Sequence, residues 1–131
     1  LEGSGEGGVA ILADHFGRPG VLRTHPIREG VPAILRRKID LPAGRSAKLI
    51  VDVSHHPQGD WQLIVRANGQ VLTSQSIGLA TTQDHWREVT VDLTSLAGKS
   101  VVLELLNQPS GWSYEFGYWG RVDLLLENPR P

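Results

Sequence analysis

The fold is decided by residues 61–77, which read WQLIVRANGQVLTSQSI. From Trp61 to Ala67, apolar and polar residues alternate, as they do in a strand with one buried and one solvated face. Asn68 and Gly69 then supply two residues that tolerate positive φ, which a type I′ turn requires. The sequence therefore predicts a β-hairpin centred on this dipeptide.

The rest of the chain follows the same pattern. Five further segments alternate in the same way and are bounded by Gly, Pro, Asn, Asp or Ser: 33–41, 47–54, 86–93, 100–107 and 118–127. No segment holds an apolar period of 3.6 residues, so little or no helix is expected. Seven short strands separated by regular turns predict an all-β fold, an antiparallel β-sandwich of the jelly-roll type.

The alternation also assigns the tryptophans to faces. Trp61 shares its parity with apolar neighbours and is predicted to lie in the core. Trp86 shares its parity with Glu88, and Trp119 shares its parity with Arg121, so both are predicted to face solvent. The apolar residues of the last strand are predicted to face inward: Val122, Leu124 and Leu126.

Composition narrows the classes of protein. The chain has 131 residues, a net charge of −1 and no cysteine. A near-neutral charge argues against a nucleic-acid partner, and no apolar run is long enough for membrane insertion. Without cysteine, disulfides and thiolate metal sites are excluded.

The absence of methionine predicts a piece of a larger protein. Residues 1–8 are glycine-rich and are interpreted as a linker or as added residues. Residues 9–127 are expected to form a single domain, and residues 128–131 a boundary tail.

Signatures of catalysis are missing from the sequence. It contains no G-x-S-x-G, H-E-x-x-H or Walker pattern, and we expect no enzymatic activity. His55 and His56 form the one local cluster of histidines. A small hydrolase or metal site that uses these two residues with Asp60 is kept as a less favoured hypothesis.

Two segments carry polar and aromatic residues beyond what a core requires. The first is residues 54–61, SHHPQGDW, and the second is residues 107–119, NQPSGWSYEFGYW. Tryptophan and tyrosine rings stack on the apolar faces of sugars, and Asn, Gln, Asp and His bind hydroxyl groups. A loop that folds over one end of the sandwich and buries its own rings would show the same pattern. Both interpretations remain open.

The second half of the chain resembles a known family. Residues 86–105, WREVTVDLTSLAGKSVVLEL, resemble the W-x-x-V-x-V-D-L-x-x-x-A-G-x-x-V-x-L stretch of galactose-binding-like jelly rolls, which include many carbohydrate-binding modules. Residues 118–124, YWGRVDL, are similar to the last strand of those domains. The resemblance implies the fold more firmly than the ligand. It also implies a structural calcium ion at one edge, but the chain lacks an obvious acidic calcium loop.

The functional prediction follows from the resemblance and the two segments. We expect a non-catalytic carbohydrate-binding module of a large bacterial protein that is secreted, periplasmic or on the cell surface. Its partners would be a polysaccharide or other glycan and the other domains of the parent chain, and it would need no cofactor, calcium excepted. A structural or protein-interaction spacer is the alternative. The predicted ligand-binding residues are His55, His56, Gln58, Asp60, Asn107, Gln108, Trp112, Tyr114, Glu115 and Trp119.

Overall fold

A computed structural model describes residues 4–15, 18–26, 33–82, 86–109 and 116–127. In the first two ranges it describes the backbone, together with the side chains of Arg23 and Thr24. Within these ranges, no helix has the length and the apolar character that crossing a membrane requires.

Strands dominate the described chain, and its single helical element is a 3-10 turn at Thr94–Leu96. The strands are β1 (Ser4–His15), β2 (Arg18–Pro26), β3 (Ala33–Asp40), β4 (Ser46–His55), β5 (Trp61–Ala67), β6 (Gln70–Ile77), β7 (Trp86–Asp92), β8 (Ser100–Gln108) and β9 (Gly117–Glu127).

These strands form two antiparallel sheets packed face to face. The five-stranded sheet has the order β1-β2-β9-β4-β7, and the four-stranded sheet has the order β3-β8-β5-β6. From β3 onward the chain changes sheet at every connection except the β5–β6 hairpin. Such alternation between two sheets is typical of a jelly roll. The predicted all-β antiparallel sandwich is confirmed.

All seven predicted strands are present, with ends that differ from the prediction by at most one residue. The hairpin turn has the expected backbone, because Asn68 and Gly69 have φ values of 49° and 81°. Strands β1 and β2 were not predicted. β1 begins at Ser4, inside the glycine-rich opening stretch, where alternation is too weak to indicate a strand.

The core lies between the sheets, and Trp61 is at its centre. Its side chain is wholly buried, as its parity predicted. The indole packs against Trp119 with ring centroids 5.1 Å apart and a tilt of 54°. The indole Nε1 donates a hydrogen bond of 2.9 Å to the carbonyl oxygen of Ser54. Without this bond, the buried N–H group would lack a partner and would destabilise the fold.

The solvent-facing prediction for Trp119 is wrong, because a β-bulge interrupts β9. Asp52 of β4 is paired with Arg121, but the next residue, Val53, is paired with Trp119, so Gly120 is skipped. One extra residue inverts the face of every side chain before it. Trp119 therefore points into the core and is only 3% exposed.

The prediction for Trp86 is also wrong in its outcome, although its face is as expected. Trp86 is paired with Ser54 on the outer face of the five-stranded sheet, yet it is only 8% exposed. It packs in a separate aromatic cluster with Tyr118 and Phe116. A large ring on an outer face can thus be covered by its own neighbours.

Two inward-facing residues of β9 are more exposed than expected, whereas Trp86 is more buried than expected. Val122 and Leu124 are paired with Val51 and Leu49, which belong to the core, so their face is as predicted. They are nevertheless 45% and 37% exposed. The sandwich is therefore open along this part of β9.

Candidate functional site

Both predicted loops begin at the same end of the sandwich. His55, at the end of β4, is paired with Gly117 at the start of β9. Gln108, at the end of β8, is paired with Gln62 near the start of β5. We call this end, where β4 and β8 end and β5 and β9 begin, the loop end. The fold thus brings together two segments that lie about fifty residues apart in the chain.

The loop end contains a depression of about 370 Å³, which we call the loop-end pocket. It lies between the β4–β5 connection and the β6–β7 connection. Its lining residues are Pro57, Gln58, Gly59, Asp60, Ser76, Gly78, Leu79, Ala80 and Thr81. Gln58 and Asp60 are exposed, and Leu79 is 69% exposed, so polar and apolar groups face solvent side by side.

The β6–β7 wall of this pocket is held by its own hydrogen bonds. The hydroxyl of Thr81 donates to the carbonyl oxygen of Ser76 at 2.6 Å and accepts from the backbone N–H of Gly78 at 3.0 Å. Gly78 also lies tightly against the opposite wall, since a Cβ atom there would come within 2.9 Å of the Cβ of Asp60. The two walls therefore meet closely at the base of the pocket.

The β4–β5 wall is held by His55, which is wholly buried. Its Nδ1 lies 2.7 Å from the carbonyl oxygen of His56 and 3.2 Å from that of Gly59, so Nδ1 carries the hydrogen. Its Nε2 lies 3.3 Å from the hydroxyl of Thr82, in the other connection. His55 therefore ties the two walls together and does not itself face a ligand.

His56 follows on the surface side and is half-buried. Its Nδ1 accepts a 3.1 Å hydrogen bond from the backbone N–H of Gln58. Partial burial, with the neighbouring His55 as a smaller contribution, lowers the pKa of His56 below its ordinary value of 6.5. Both effects favour the neutral ring, which leaves Nδ1 able to accept that bond.

The hydrolase or metal hypothesis gains no support from this geometry. Both ring nitrogens of His55 already face protein atoms, and metal ligation needs an available nitrogen. Within the described ranges, no group of three His, Cys, Asp or Glu side chains could hold a metal ion.

Asn107 and Gln108 do not join the pocket. Asn107 is wholly buried, and its Nδ2 lies 3.3 Å from both the carbonyl oxygen and the hydroxyl of Thr24. The Nε1 of Trp119 donates to the same hydroxyl at 3.0 Å. These contacts fasten β2 to the core. Gln108 is half-buried and is paired with Gln62 at the end of the other sheet.

The ten predicted residues are thus divided among several places. Gln58 and Asp60 line the pocket, and His56 is beside it. His55, Asn107 and Trp119 are buried. Gln108 is half-buried at the end of β8. The last three predicted contacts lie outside the described residues: Trp112, Tyr114 and Glu115. Sequence reasoning missed the second wall, Ser76–Thr81. The available signal was the predicted hairpin, because pairing Trp61 with Ile77 places the residues after β6 beside those before β5.

A group of aromatic rings adjoins the pocket on the outer face of the five-stranded sheet. The ring of Phe116 lies 5.9 Å from His56 and 6.4 Å from Tyr118, measured between centroids. The guanidinium carbon of Arg23 lies 4.9 Å from the Phe116 centroid, within cation–π range. Burial raises the pKa of Tyr118, and Arg23 opposes that rise. Phe116 is half-buried, whereas Tyr118 is only 5% exposed.

Comparison with known proteins finds solved structures that share the fold but no match to a family model or a curated protein. A cyclase from Fischerella sp. TAU is similar at 16% identity and a TM-score of 0.55, over 86% of this chain and 66% of that chain, so this chain spans just under two thirds of the cyclase.

Two further similar structures are sugar-related. The Podospora anserina GH26-CBM35 β-(1,4)-mannanase is 18% identical with a TM-score of 0.58, over 95% of this chain and 26% of that chain. The EclA C-terminal domain, described as a sugar-binding protein, is 11% identical with a TM-score of 0.61, over 95% and 89% of the two chains. At these identities, the likeness demonstrates a shared fold.

Proposed function

We propose that this chain is a non-catalytic carbohydrate-binding module of a larger protein, and that it binds sugar in the loop-end pocket. The observation that carries the proposal is the pocket itself. A volume of about 370 Å³ lies within the range of small-molecule sites. Carboxylate, amide and apolar side chains converge there on two walls that are tied together.

The lining chemistry suits a sugar. The carboxylate of Asp60 accepts hydrogen bonds from hydroxyl groups, and the amide of Gln58 both donates and accepts them. The exposed side chain of Leu79 offers an apolar surface to the C–H face of a ring. A few such contacts supply a weak affinity, since a Kd near 1 mM corresponds to about −4 kcal/mol.

A non-catalytic role is favoured by the number of carboxylates in the pocket. Asp60 is the one carboxylate among the described residues that line the pocket. Glycoside hydrolysis commonly uses two carboxyl groups flanking the scissile bond. We extend the proposal to location: a module for polysaccharide would belong to an extracytoplasmic bacterial protein and would act beside the parent's other domains.

Two of the fold relatives support the proposal. One is a mannanase whose description includes a CBM35 module, and another is described as a sugar-binding domain. The cyclase relatives are enzymes, so the shared fold alone does not choose between binding and catalysis.

A glycan array on the isolated chain, followed by calorimetric titration of the best glycan, tests the proposal. Asp60→Asn and Gln58→Ala should each weaken binding, Asp60→Asn by about tenfold, because a hydrogen bond to a charged group contributes about 1.5–3 kcal/mol. Asp40→Asn is the matched control, since Asp40 is an exposed aspartate at the end of β3. Absence of any glycan ligand, or equal affinity of Asp60→Asn and Asp40→Asn, would contradict the proposal.

Trp112→Ala distinguishes the two interpretations of the aromatic segment. If Trp112 stacks on the sugar, the variant should lose binding and keep the wild-type melting temperature. The spacer function is the second candidate, and it is favoured by the burial of Tyr118 and Trp119 in the same segment. A large fall in melting temperature, with no glycan bound by the wild type, would support the spacer.

A further inference from the structure

The open flank of the sandwich contains a second and more apolar cavity. It is a cleft of about 480 Å³ between β3 in one sheet and β9 in the other. Its apolar walls include Leu35, Ile39, Leu103, Leu105, Val122 and Leu124. Grouped exposed apolar residues of this kind mark binding surfaces more often than scattered ones do.

The pairing of β9 explains why the cleft is open. β3 is the edge strand of its sheet. β9 is paired with β2 only at residues 117–119, and beyond the bulge its described pairing is with β4 alone. Neighbouring edges of the two sheets therefore lie side by side without a described strand between them. Val122 and Leu124 face the interior but remain 45% and 37% exposed.

One cation stands at the mouth of this cleft. Arg37 is paired with Leu103 and lies in the inward-facing row of β3, between Leu35 and Ile39. It is exposed, and no described residue forms a hydrogen bond or ion pair with it. A guanidinium beside an apolar wall is suited to the planar oxygens of a carboxylate.

The other charged groups around the cleft are engaged. Arg36 faces the opposite side of β3 and donates to Glu104 at 2.9 Å and 2.5 Å. Asp123, which also lines the cleft, is ion-paired with Arg121. Among the described residues that line the cleft, Arg37 is therefore the one positive charge that is not ion-paired.

We propose that this cleft binds a free single-chain organic carboxylate, with the chain between the two sheets and the carboxylate on Arg37. From Leu35 to Ile39, with Arg37 midway, the strand advances about 13 Å. A chain of roughly ten carbon atoms whose carboxylate meets Arg37 would therefore cross the cleft toward Val122 and Leu124 of β9 as well as follow this wall. The site is separate from the loop-end pocket and does not depend on the sugar-binding proposal.

Calorimetric titration with decanoate, kept below its micelle concentration, tests the inference. Wild type should bind one equivalent saturably, with a negative heat-capacity change from apolar burial. Decyltrimethylammonium carries the same chain with the opposite charge and should bind more weakly. Arg37→Gln should weaken decanoate binding by about fivefold, the upper range for an exposed charge pair.

Matched variants separate the cleft from general surface effects. Lys38→Gln removes a cation from the next residue of β3, on the opposite face, and should leave binding unchanged. Leu124→Lys should abolish binding, and Val122→Lys provides a second variant in case the first does not fold. Val71→Lys, at an exposed apolar residue of β6, should bind like wild type.

Several outcomes would overturn the inference. The inference is wrong if wild type does not bind decanoate saturably, if Arg37→Gln and Lys38→Gln lose equal affinity, or if a folded Leu124→Lys variant binds decanoate fully. Sedimentation across a concentration series adds another: a dimer that excludes decanoate would assign the cleft to a second copy of the chain. Because Asp60→Asn should not affect decanoate binding, failure here is distinguishable from failure of the sugar site.

Discussion

The indole ring of Trp86 lies directly over Gly120. A Cβ atom at residue 120 would come within 2.7 Å of Cζ3 and 2.9 Å of Cη2 of that ring. Residue 120 is also the position that the β-bulge leaves out of the pairing between β4 and β9. The missing side chain and the bulge thus jointly make room for a buried tryptophan on the outer face of a sheet.

Gly120→Ala should therefore destabilise the fold. The added methyl group would collide with a packed ring, and overpacking of this kind typically costs about 1–3 kcal/mol. Chemical denaturation measures the loss. The same substitution should cost much less in a Trp86→Leu background, which removes the ring. Equal costs in the two backgrounds would show that the ring does not cause the effect.

Thr24→Val should destabilise the protein by about 1–3 kcal/mol, the cost of leaving buried polar groups without a partner. The hydroxyl of Thr24 accepts hydrogen bonds from Trp119 and Asn107, and both side chains are buried. Thr90→Val is the control, because Thr90 is exposed on β7. Equal melting temperatures for Thr24→Val and Thr90→Val would argue against the buried hydrogen-bond network.

Acidification should weaken the loop end through His56. Because the folded pKa of His56 lies below its ordinary value of 6.5, the unfolded chain binds the proton more readily. The stabilisation from His56 is therefore complete above pH 6.5 and is lost as pH falls through the folded pKa. His56→Asn should reduce the decrease in unfolding free energy between pH 7 and pH 5. An unchanged slope would contradict the assignment.

Glu104 should stabilise the fold over a pH range that differs from that of His56. It is 6% exposed and is paired with Arg36 and, at 3.2 Å, with Arg66. The hydrogen bond from Arg36, opposed by burial and aided by Arg66, lowers the pKa of Glu104 below 4.5. Its contribution is therefore present above pH 4.5 and is lost as pH falls through the folded pKa.

Glu104→Gln should accordingly cost about 1 kcal/mol at pH 7, since both arginines are partly exposed and solvent screens the pairs. The cost should decrease in acid, where Glu104 of the wild type becomes protonated and is then neutral, like the glutamine of the variant. Glu88→Gln, at an exposed position of β7, should have little effect at either pH. A cost for Glu104→Gln that is constant with pH would indicate packing instead of charge.

Local alternation was sufficient to predict the strands from residue 33 onward, because each of them has one face against the core. It also placed Trp61 correctly. It misplaced Trp119, since a bulge depends on the pairing between β4 and β9 and leaves no mark on the sequence of either strand beyond a glycine. Trp86 shows a second limit: parity gives a face, but it does not say what covers that face.

The candidate site was predictable only in part. The composition of residues 56–60 indicated a polar loop, and Gln58 and Asp60 do line the pocket. The burial of His55 could not be predicted, because it depends on Thr82, which comes from a connection 27 residues away. The opposite wall has an ordinary turn composition, and the register of the β5–β6 hairpin, which pairs Trp61 with Ile77, brings it beside Asp60.

The tie that His55 makes between the two walls affects how a ligand would be bound. Walls that are fastened in advance need little ordering when a ligand arrives, so less conformational entropy opposes association. Even a ligand with few contacts can then be retained. For a preorganised site, differences in affinity among related ligands are expected mainly in the dissociation rate, with similar association rates for all of them.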